Sequence, residues 1–273
     1  MKNRFYSIFG GSKALIAMIH VRALPGTPRY EGNFNHVLQK ATEEAKRYAD
    51  AGLQAVMIEN MHDRPYVKYS PGPEITAALA VIGHEIKQKT GLITGIQILA
   101  AANKQALAVA LAAGLDFIRA EGFVFGHLAD EGYIEANAGN LLRYRKQIQA
   151  EHIAVFTDIK KKHSAHAISA DTDITQHALA AEFFLSDGLI ITGTETGKAP
   201  RIDEIKAVNN HTRLPVLLGS GINLDNIGNF FSLADGFIVG SDFKINGRWY
   251  NELDPEKLNA WRKLWNELTK RNL

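Results

Sequence analysis

The sequence predicts an α/β protein built as a single (β/α)8 TIM barrel. Eight short apolar runs alternate with eight longer helical patterns, an alternation typical of a parallel sheet. The chain has 273 residues, close to the length of about 250 residues that is common for a one-domain barrel. An open doubly wound sheet is expected to carry a Gly-x-Gly-x-x-Gly fingerprint after its first strand, and the sequence has none there. We therefore expect one domain over residues 1–273.

The predicted strands are apolar runs long enough for strands buried on both faces and too short to span a membrane. In chain order they are Ala14 to His20, Gln54 to Asn60, Leu92 to Leu99, Leu115 to Gly122, His152 to Lys160, Asp187 to Gly193, Leu214 to Ile222 and Asp235 to Lys244. A basic, apolar segment precedes the first of them and is similar to a secretory signal. Gly10 and Gly11 split that segment, and no small-residue cleavage site follows, so we assign it to the first strand.

The predicted helices fill the intervals between the strands. They are Asn35 to Ala51, Pro73 to Lys89, Asn103 to Ala113, Asn140 to Ala150, Asp173 to Leu185, Arg201 to Asn210, Leu224 to Phe231 and Pro255 to Lys270. Gly52 and Gly114 come directly after helices, where a left-handed cap favours glycine. Pro73 and Pro255 lie in first turns, which tolerate proline.

Composition excludes several classes of function. The chain is 46% hydrophobic and 22% charged, which suits a globular protein with a sizeable core. It has no cysteine, so disulfides, thiolate catalysis and cysteine metal sites are excluded. The net charge of +2 comes from interspersed acids and bases, without the basic stripe that nucleic-acid binding requires. We expect a cytoplasmic protein without integral membrane association that binds a small molecule in a pocket.

Two glycine-serine strand ends are the most informative motif. LPVLLGSGI and DGFIVGSDFK are the last two predicted strands, and a barrel commonly binds phosphate after these strands. Glycine lets the backbone approach an anion, and a following helix presents unpaired N–H groups. The predicted phosphate-binding residues are Gly193, Gly219, Ser220, Gly221, Gly240 and Ser241. The alternative is that these are ordinary strand-to-helix turns.

The other strand ends are polar. A buried barrel strand cannot hide a charge cheaply, so a charged residue at its end faces the open mouth or has a partner. Barrel enzymes place catalytic residues at these ends. The candidate catalytic residues are His20, Glu59, Arg119, Asp158, Lys160 and His163. Glu59 and Arg119 could instead form a structural ion pair, and His20 could simply bond a loop.

The segment around Asp158 combines an acid with a run of bases. Asp158 and Lys160 are two residues apart and are expected to point the same way along a strand. A lysine run is typically a solvated loop, so within Lys160–Lys162 only Lys160 is retained as a candidate, together with His163. Lys160 could form a Schiff base if its pKa were lowered.

A divalent metal is an alternative use of the same residues. Glu59, Asp158, His20 and His163 could gather around one cation. Carboxylates and histidines serve acid–base chemistry equally well. We therefore predict no cofactor and keep a divalent metal as an open possibility.

The ordered motifs of the chain resemble those of one known family, the BtpA family. They are IAMIHVRALPGTPRY, VMIENMHDRPYVK, ITGIQIL, FIRAEGFVFGHLADEGYI, FTDIKKKHSAH, DGLIITGTETGKAP, PVLLGSGI and DGFIVGSDFKINGRW, from Ile16 to Trp249. The family includes SgcQ-type proteins of sugar operons and is similar to the ribulose-phosphate-binding barrels. Gln97, Ala101 and Ala120 to Gly122 depart from its pattern, so the resemblance does not name a substrate.

The resemblance and the residues together leave three hypotheses. The first is an enzyme, an isomerase, epimerase or aldolase-like lyase, acting on a small phosphorylated sugar or nucleoside-like compound. The second is a non-catalytic binding or assembly factor, because the cyanobacterial founder of the family is associated with photosystem I biogenesis. The third is a metal-dependent hydrolase. Aromatic residues in the long early loops, Arg22 to Gly32 and Met61 to Glu74, add the possibility of a homo-oligomer or a lid.

Overall fold

Eight parallel strands close into a barrel in the computed structural model, which describes residues 4–193 and 197–271. The barrel strands are β1 (Ala14–His20), β2 (Ala55–Glu59), β3 (Ile93–Gln97), β4 (Phe117–Ala120), β7 (Ala154–Ile159), β8 (Gly188–Ile191), β9 (Val216–Leu218) and β10 (Gly236–Val239). Around the barrel they follow one another in this order, and β10 pairs with β1. Each lies within a predicted strand, and the predicted barrel is confirmed.

Helices cover the outside of the barrel. They are α1 (Arg4–Phe9), α2 (Phe34–Asp50), α3 (Pro73–Thr90), α4 (Asn103–Ala113), α5 (Ala138–Gln147), α6 (Ile174–Phe183), α7 (Ile202–His211), α8 (Ile227–Phe230) and α9 (Pro255–Lys270). The helix predicted from Leu224 is the least accurate, because α8 has only four residues. Its first predicted turn is replaced by an asparagine turn in which the side-chain amide of Asn226 donates to the Gly221 carbonyl at 2.8 Å.

The helix α1 was not predicted, because we assigned its segment to the first strand, and that assignment was wrong. It closes the end of the barrel opposite the strand carboxyl ends, where Phe5 is fully buried and packs against Phe156 at 5.8 Å between ring centroids. Arg4 donates to Asp187 at 2.6 Å and fixes the helix to the barrel. The helix therefore seals the end of the molecule that carries no candidate catalytic residue.

A β-hairpin was also not predicted. Its strands are β5 (His127–Ala129) and β6 (Gly132–Ile134), and it follows β4 at the end of the barrel where the strands have their carboxyl ends. Leu128 of the hairpin pairs with Ala165 in the loop after β7. Lys68, in the loop after β2, donates to the Tyr133 carbonyl at 3.1 Å. The hairpin thus connects two loops of the barrel mouth.

The barrel interior is apolar until the carboxyl ends of the strands, where it becomes polar. Successive inward side chains are two residues apart, and the inner apolar cluster contains Ile16 and Met18 of β1, Met57 of β2 and Phe156 of β7. The next inward residues on β1, β2, β3, β4 and β7 are His20, Glu59, Gln97, Arg119 and Asp158. Strand periodicity therefore points these polar side chains inward, and the register makes His20, Glu59 and Gln97 neighbours. Arg119 pairs with Phe156, so Asp158 lies two residues further along its strand.

None of the helices within the described ranges is long and apolar enough to cross a membrane. The single domain over residues 1–273 stays a prediction, since both chain ends lie outside those ranges. Residues 194–196 of the loop that begins at Gly193 also lie outside them.

Candidate functional site

A cavity of about 510 Å³ opens at the carboxyl ends of the barrel strands. It brings together most of the residues predicted from the sequence. Those that line it are His20, Glu59, Arg119, His163, Gly219, Ser220, Gly221, Gly240 and Ser241. Asp158, Lys160 and Gly193 do not line it. His20, Glu59, Arg119 and His163 therefore share one space with the glycine-serine ends of the last two strands.

Glu59 is one of the carboxyl groups that line this cavity. It ends β2 and is buried. Burial raises its pKa above the ordinary value, and the negative charges of Glu121 and Asp158 add to this, while Arg119 and Lys162 oppose it. A raised pKa makes this carboxyl group a better proton acceptor than an exposed glutamate, which suits it to acid–base catalysis.

His20 lies beside Glu59. Its Nε2 atom is 3.9 Å from Oε2 of Glu59, which is too long for a hydrogen bond. Burial holds the pKa of His20 well below its ordinary value, and the positive charge of Lys244 lowers it further. The ring is therefore a neutral imidazole at neutral pH, and its contact with Glu59 is not a salt bridge. It also meets the indole of Trp249 edge-on at 5.8 Å between centroids.

Arg119 is held in place by Asp158. Its Nε and Nη2 atoms donate to the two carboxylate oxygens at 2.8 and 2.7 Å. Only 1% of the Asp158 side chain is exposed, so this carboxylate holds Arg119 and does not line the cavity. Burial alone would lower the pKa of Arg119, but the charge and hydrogen bonds of Asp158 outweigh burial and raise it. The ion pair considered between Glu59 and Arg119 forms instead between Asp158 and Arg119.

The lysines of the loop after β7 do not point in the directions that strand alternation predicts. β7 ends at Ile159, and Lys160 has a left-handed φ of 44°. The alternation that would have pointed Lys160 along with Asp158 is therefore lost, and its ammonium group donates to the Thr172 carbonyl outside the cavity. Lys161 and Lys162, which we passed over as a solvated run, line the cavity instead.

Glu121 is a second carboxylate on the cavity wall that we did not select. It accepts hydrogen bonds from the Ala101 N–H at 2.8 Å and from Nζ of Lys161 at 3.0 Å. Burial would raise its pKa, but Lys161 and these hydrogen bonds keep it below the ordinary value. Glu121 is therefore a fixed anion, whereas Glu59 is the carboxyl group suited to exchange protons. Glu121 lies two residues after Arg119, and this spacing was the sequence signal that could have identified it as a cavity residue.

The glycines of the two strand ends are required by close contacts. A Cβ atom on Gly240 would lie 3.0 Å from Cε1 of His20, inside the cavity. Gly221 has a left-handed φ of 68°, and a Cβ atom there would lie 2.1 Å from the Lys198 carbonyl carbon. A Cβ on Gly193 would lie 2.1 Å from the Lys198 carbonyl oxygen. Gly193 and Gly221 thus allow the backbone at Lys198 to pack against the strand ends.

The segments after these strand ends are not full helices. β9 leads into the turn before the four-residue α8, and β10 leads into a short 3-10 helix, Ser241–Phe243. Asp242 connects the two segments, because its carboxylate accepts from the Leu224 N–H at 3.1 Å, Nζ of Lys257 at 2.7 Å and Nε1 of Trp261 at 2.8 Å. Neither of these two segments therefore offers the N-terminus of a long helix to an anion. The predicted anion site depends on the backbone of the turns.

The outer wall of the cavity carries aromatic and charged side chains. Trp249 lies at the rim, with the Arg64 guanidinium over its ring at 5.1 Å. The turn of the β5–β6 hairpin contributes Asp130 and Glu131. The wall therefore offers both signs of charge to a ligand, with an aromatic ring beside them.

Metal ligation is not favoured by the described side chains. Within residues 4–193 and 197–271, no three histidine, aspartate or glutamate side chains are close enough together to hold a metal ion. Asp158, one of the four residues considered, has both oxygens bonded to Arg119. We therefore assign no step to a metal.

A family model and several relatives match nearly the whole chain. The model of the BtpA family matches residues 11–267. An uncharacterized Caenorhabditis elegans protein, named as mitochondrial, is 48% identical over 96% of both chains. The photosystem I biogenesis protein BtpA of Synechocystis is 30% identical over 94% of this chain and 89% of its own. The mitochondrial name of one relative leaves the cytoplasmic location a prediction.

A solved structure of the same fold is orotidine 5′-monophosphate decarboxylase from Methanocaldococcus jannaschii, in complex with an inhibitor. Its TM-score is 0.60 at 15% identity, over 93% of this chain and 99% of that one. At this identity the likeness concerns the fold alone.

Proposed function

The chain belongs to the BtpA family, and from this premise we propose that it is an enzyme that moves a proton on a small phosphorylated sugar or nucleoside-like compound. The reaction class is that of an isomerase, epimerase or aldolase-like lyase. One observation carries the proposal: Glu59, a buried carboxyl group with a raised pKa, shares one cavity with the glycine-serine ends of β9 and β10. A phosphate at those ends would fix the rest of the ligand against Glu59.

The phosphate site consists of Gly219, Ser220, Gly221, Gly240 and Ser241. Their turns follow the last two barrel strands, which is the usual phosphate site of this fold. The solved structure described above is named as a decarboxylase of orotidine 5′-monophosphate, a phosphorylated compound. This is consistent with a phosphate site on the same fold. Gly240 keeps the space between this site and His20 open, because any side chain there would contact the imidazole.

Glu59 takes a proton from the carbon next to a carbonyl group and returns it elsewhere. The negative charge that develops on the substrate oxygen is stabilised by Arg119, a cation that also acts on Glu59. His20, a neutral imidazole, donates or accepts a hydrogen bond without adding charge. Asp158 acts by holding Arg119 in position.

Hydrogen–deuterium exchange tests this function directly. The protein is incubated in D2O with dihydroxyacetone phosphate, ribulose 5-phosphate or ribose 5-phosphate, and deuterium uptake is followed by NMR. We expect protein-dependent exchange at the carbon next to the carbonyl in at least one compound, because proton abstraction there is the common step of the proposed reactions. Absence of exchange and of new product across these and further sugar phosphates would favour the assembly role suggested by the name of the Synechocystis relative.

Replacement of Ser241 by aspartate tests the phosphate site. We expect Ser241→Asp to weaken binding of ribose 5-phosphate at least about tenfold, which corresponds to about 1.4 kcal/mol, because the new carboxylate repels the phosphate. Isothermal titration calorimetry measures this change. Ser232→Asp is the matched control, since Ser232 is exposed and outside the cavity. Equal affinities for both variants would contradict a phosphate site at the strand ends.

A further inference from the structure

We propose that Lys162 forms a covalent imine with the carbonyl group of the phosphorylated substrate. The inference rests on the proposed function and deepens it, because it adds a covalent step and limits the substrate to compounds with an aldehyde or ketone.

The conformation of the loop after β7 supports this assignment. Lys160 and His163 have left-handed φ angles of 44° and 55°. Between them the chain presents Lys161 and Lys162 to the cavity. The Lys162 N–H donates to the Thr192 side-chain oxygen at 2.8 Å, which connects this residue to the end of β8. The position of Lys162 is therefore determined by both neighbouring strands.

The other two lysines of the run have different contacts. The Lys160 ammonium group donates to the Thr172 carbonyl, away from the cavity. The Lys161 ammonium group is bound to Glu121 at 3.0 Å, and its pKa is raised, since burial is outweighed by the charge of Glu121. Lys161 therefore stays protonated, and a protonated amine is not a nucleophile. Lys160 is excluded by its position, because it does not line the cavity.

The charges around Lys162 favour its neutral form. Burial lowers the pKa of Lys162, and the nearby guanidinium of Arg119 lowers it further, while Glu59 and Asp158 oppose the shift. Glu59 and Lys162 line the same cavity and act on each other's charge. A lysine with a lowered pKa beside another cation is the usual arrangement for an amine that attacks a carbonyl group.

The step balances with groups already in the cavity. The neutral Nζ attacks the carbonyl carbon, a C–N bond forms, and one amine proton passes to the oxygen. The carboxyl of Glu59 gives its proton to the resulting hydroxyl, the C–O bond breaks, and water leaves as the nitrogen lone pair forms the cationic C=N bond. Glu59 is then a carboxylate and takes a proton from the adjacent carbon, which the iminium group has made acidic.

Reductive trapping tests the imine. Pyridoxal 5′-phosphate carries an aldehyde and a phosphate on one small molecule, so it serves as the probe, with ribose 5-phosphate as a second one. After borohydride reduction, peptide mapping by mass spectrometry locates the secondary amine. We expect Lys162 to be the main labelled residue, loss of that label in Lys162→Arg, its retention in Lys160→Arg, and competition by inorganic phosphate. In wild type the label forms at a lower pH than on exposed lysines.

Several outcomes overturn the inference. Labelling spread evenly over surface lysines, or labelling in the cavity that persists in a folded Lys162→Arg variant, contradicts it. Deuterium exchange that continues in Lys162→Arg also contradicts the imine while leaving the proton-transfer function intact. Absence of exchange in wild type contradicts the proposed function itself, so the two failures can be told apart.

Discussion

Glu59→Gln is expected to lower the rate of deuterium exchange by about 10²- to 10⁴-fold, the usual contribution of a general acid or base. Glutamine keeps the size of the side chain but cannot accept the proton. The second carboxylate on the wall, Glu121, is fixed by Lys161 and the Ala101 N–H and has a lowered pKa. It is therefore a poor substitute for Glu59.

The same substitution is expected to stabilise the protein near neutral pH. Burial raises the pKa of Glu59 in the folded state, so the unfolded chain loses this proton first as the pH rises. The stability contributed by the protonated group is complete below the unfolded pKa and is lost as the pH rises through the folded pKa. Glutamine does not ionise. The Tm of Glu59→Gln should exceed that of wild type at neutral pH, and the difference should shrink near pH 4, about the ordinary pKa of glutamate.

Glu43→Gln is the matched control for both measurements. Glu43 is exposed on α2, where it accepts a hydrogen bond from Gln39 at 2.7 Å. We expect wild-type exchange rates and an unchanged Tm. Full exchange activity in Glu59→Gln would contradict the assignment of this residue as the base. A Tm that falls with the substitution at neutral pH would contradict the raised pKa.

Asp158→Ala is expected to lower the free energy of unfolding by about 3–5 kcal/mol, the cost of leaving one member of a buried ion pair without its partner. Arg119 and Asp158 are 7% and 1% exposed, and two hydrogen bonds join them. Without Asp158, the guanidinium of Arg119 stays buried but loses the carboxylate that accepts its two hydrogen bonds. Denaturation with guanidinium chloride measures the change, and an unaltered slope shows that the unfolding transition is comparable.

The chain offers a control with the same chemistry and different burial. Arg201 and Asp203 also form a two-bond ion pair, but their side chains are 72% and 64% exposed. Exposed pairs contribute little, so Asp203→Ala should leave the transition nearly unchanged. In a double-mutant cycle, adding Arg119→Met to Asp158→Ala should recover part of the lost stability because the uncompensated charge is gone. Equal losses in Asp158→Ala with and without Arg119 would contradict this explanation.

The sequence predicted the barrel and the layer of polar strand ends. The apolar runs alternate with helices, and period-two alternation within each strand determines which residues point inward. His20, Glu59 and Arg119 therefore follow from local pattern, since each continues the inward series of its own strand. The membership of the BtpA family was likewise visible in the ordered motifs and is confirmed by the match over residues 11–267.

The sequence pattern did not separate Lys160 from its neighbours. Strand alternation predicts that Lys160 points with Asp158, but the strand ends at Ile159 and a left-handed residue follows. From that point the direction of each side chain depends on contacts with Thr172, Glu121 and Thr192, which are distant along the chain. Helix α1 and the β5–β6 hairpin were missed because each is short and gains its stability from packing on the barrel.

What the sequence by itself determined is the set of residues at the carboxyl ends of eight strands, because strand periodicity and the alternation of strands with helices are local patterns. Only the tertiary structure decided how those residues divide their roles. It paired Asp158 with Arg119, left Glu59 on the cavity wall with a raised pKa, and brought Lys162 to the same cavity. The physical reason is that burial and charge pairing depend on which side chains meet across strands, and no spacing along one strand specifies those meetings.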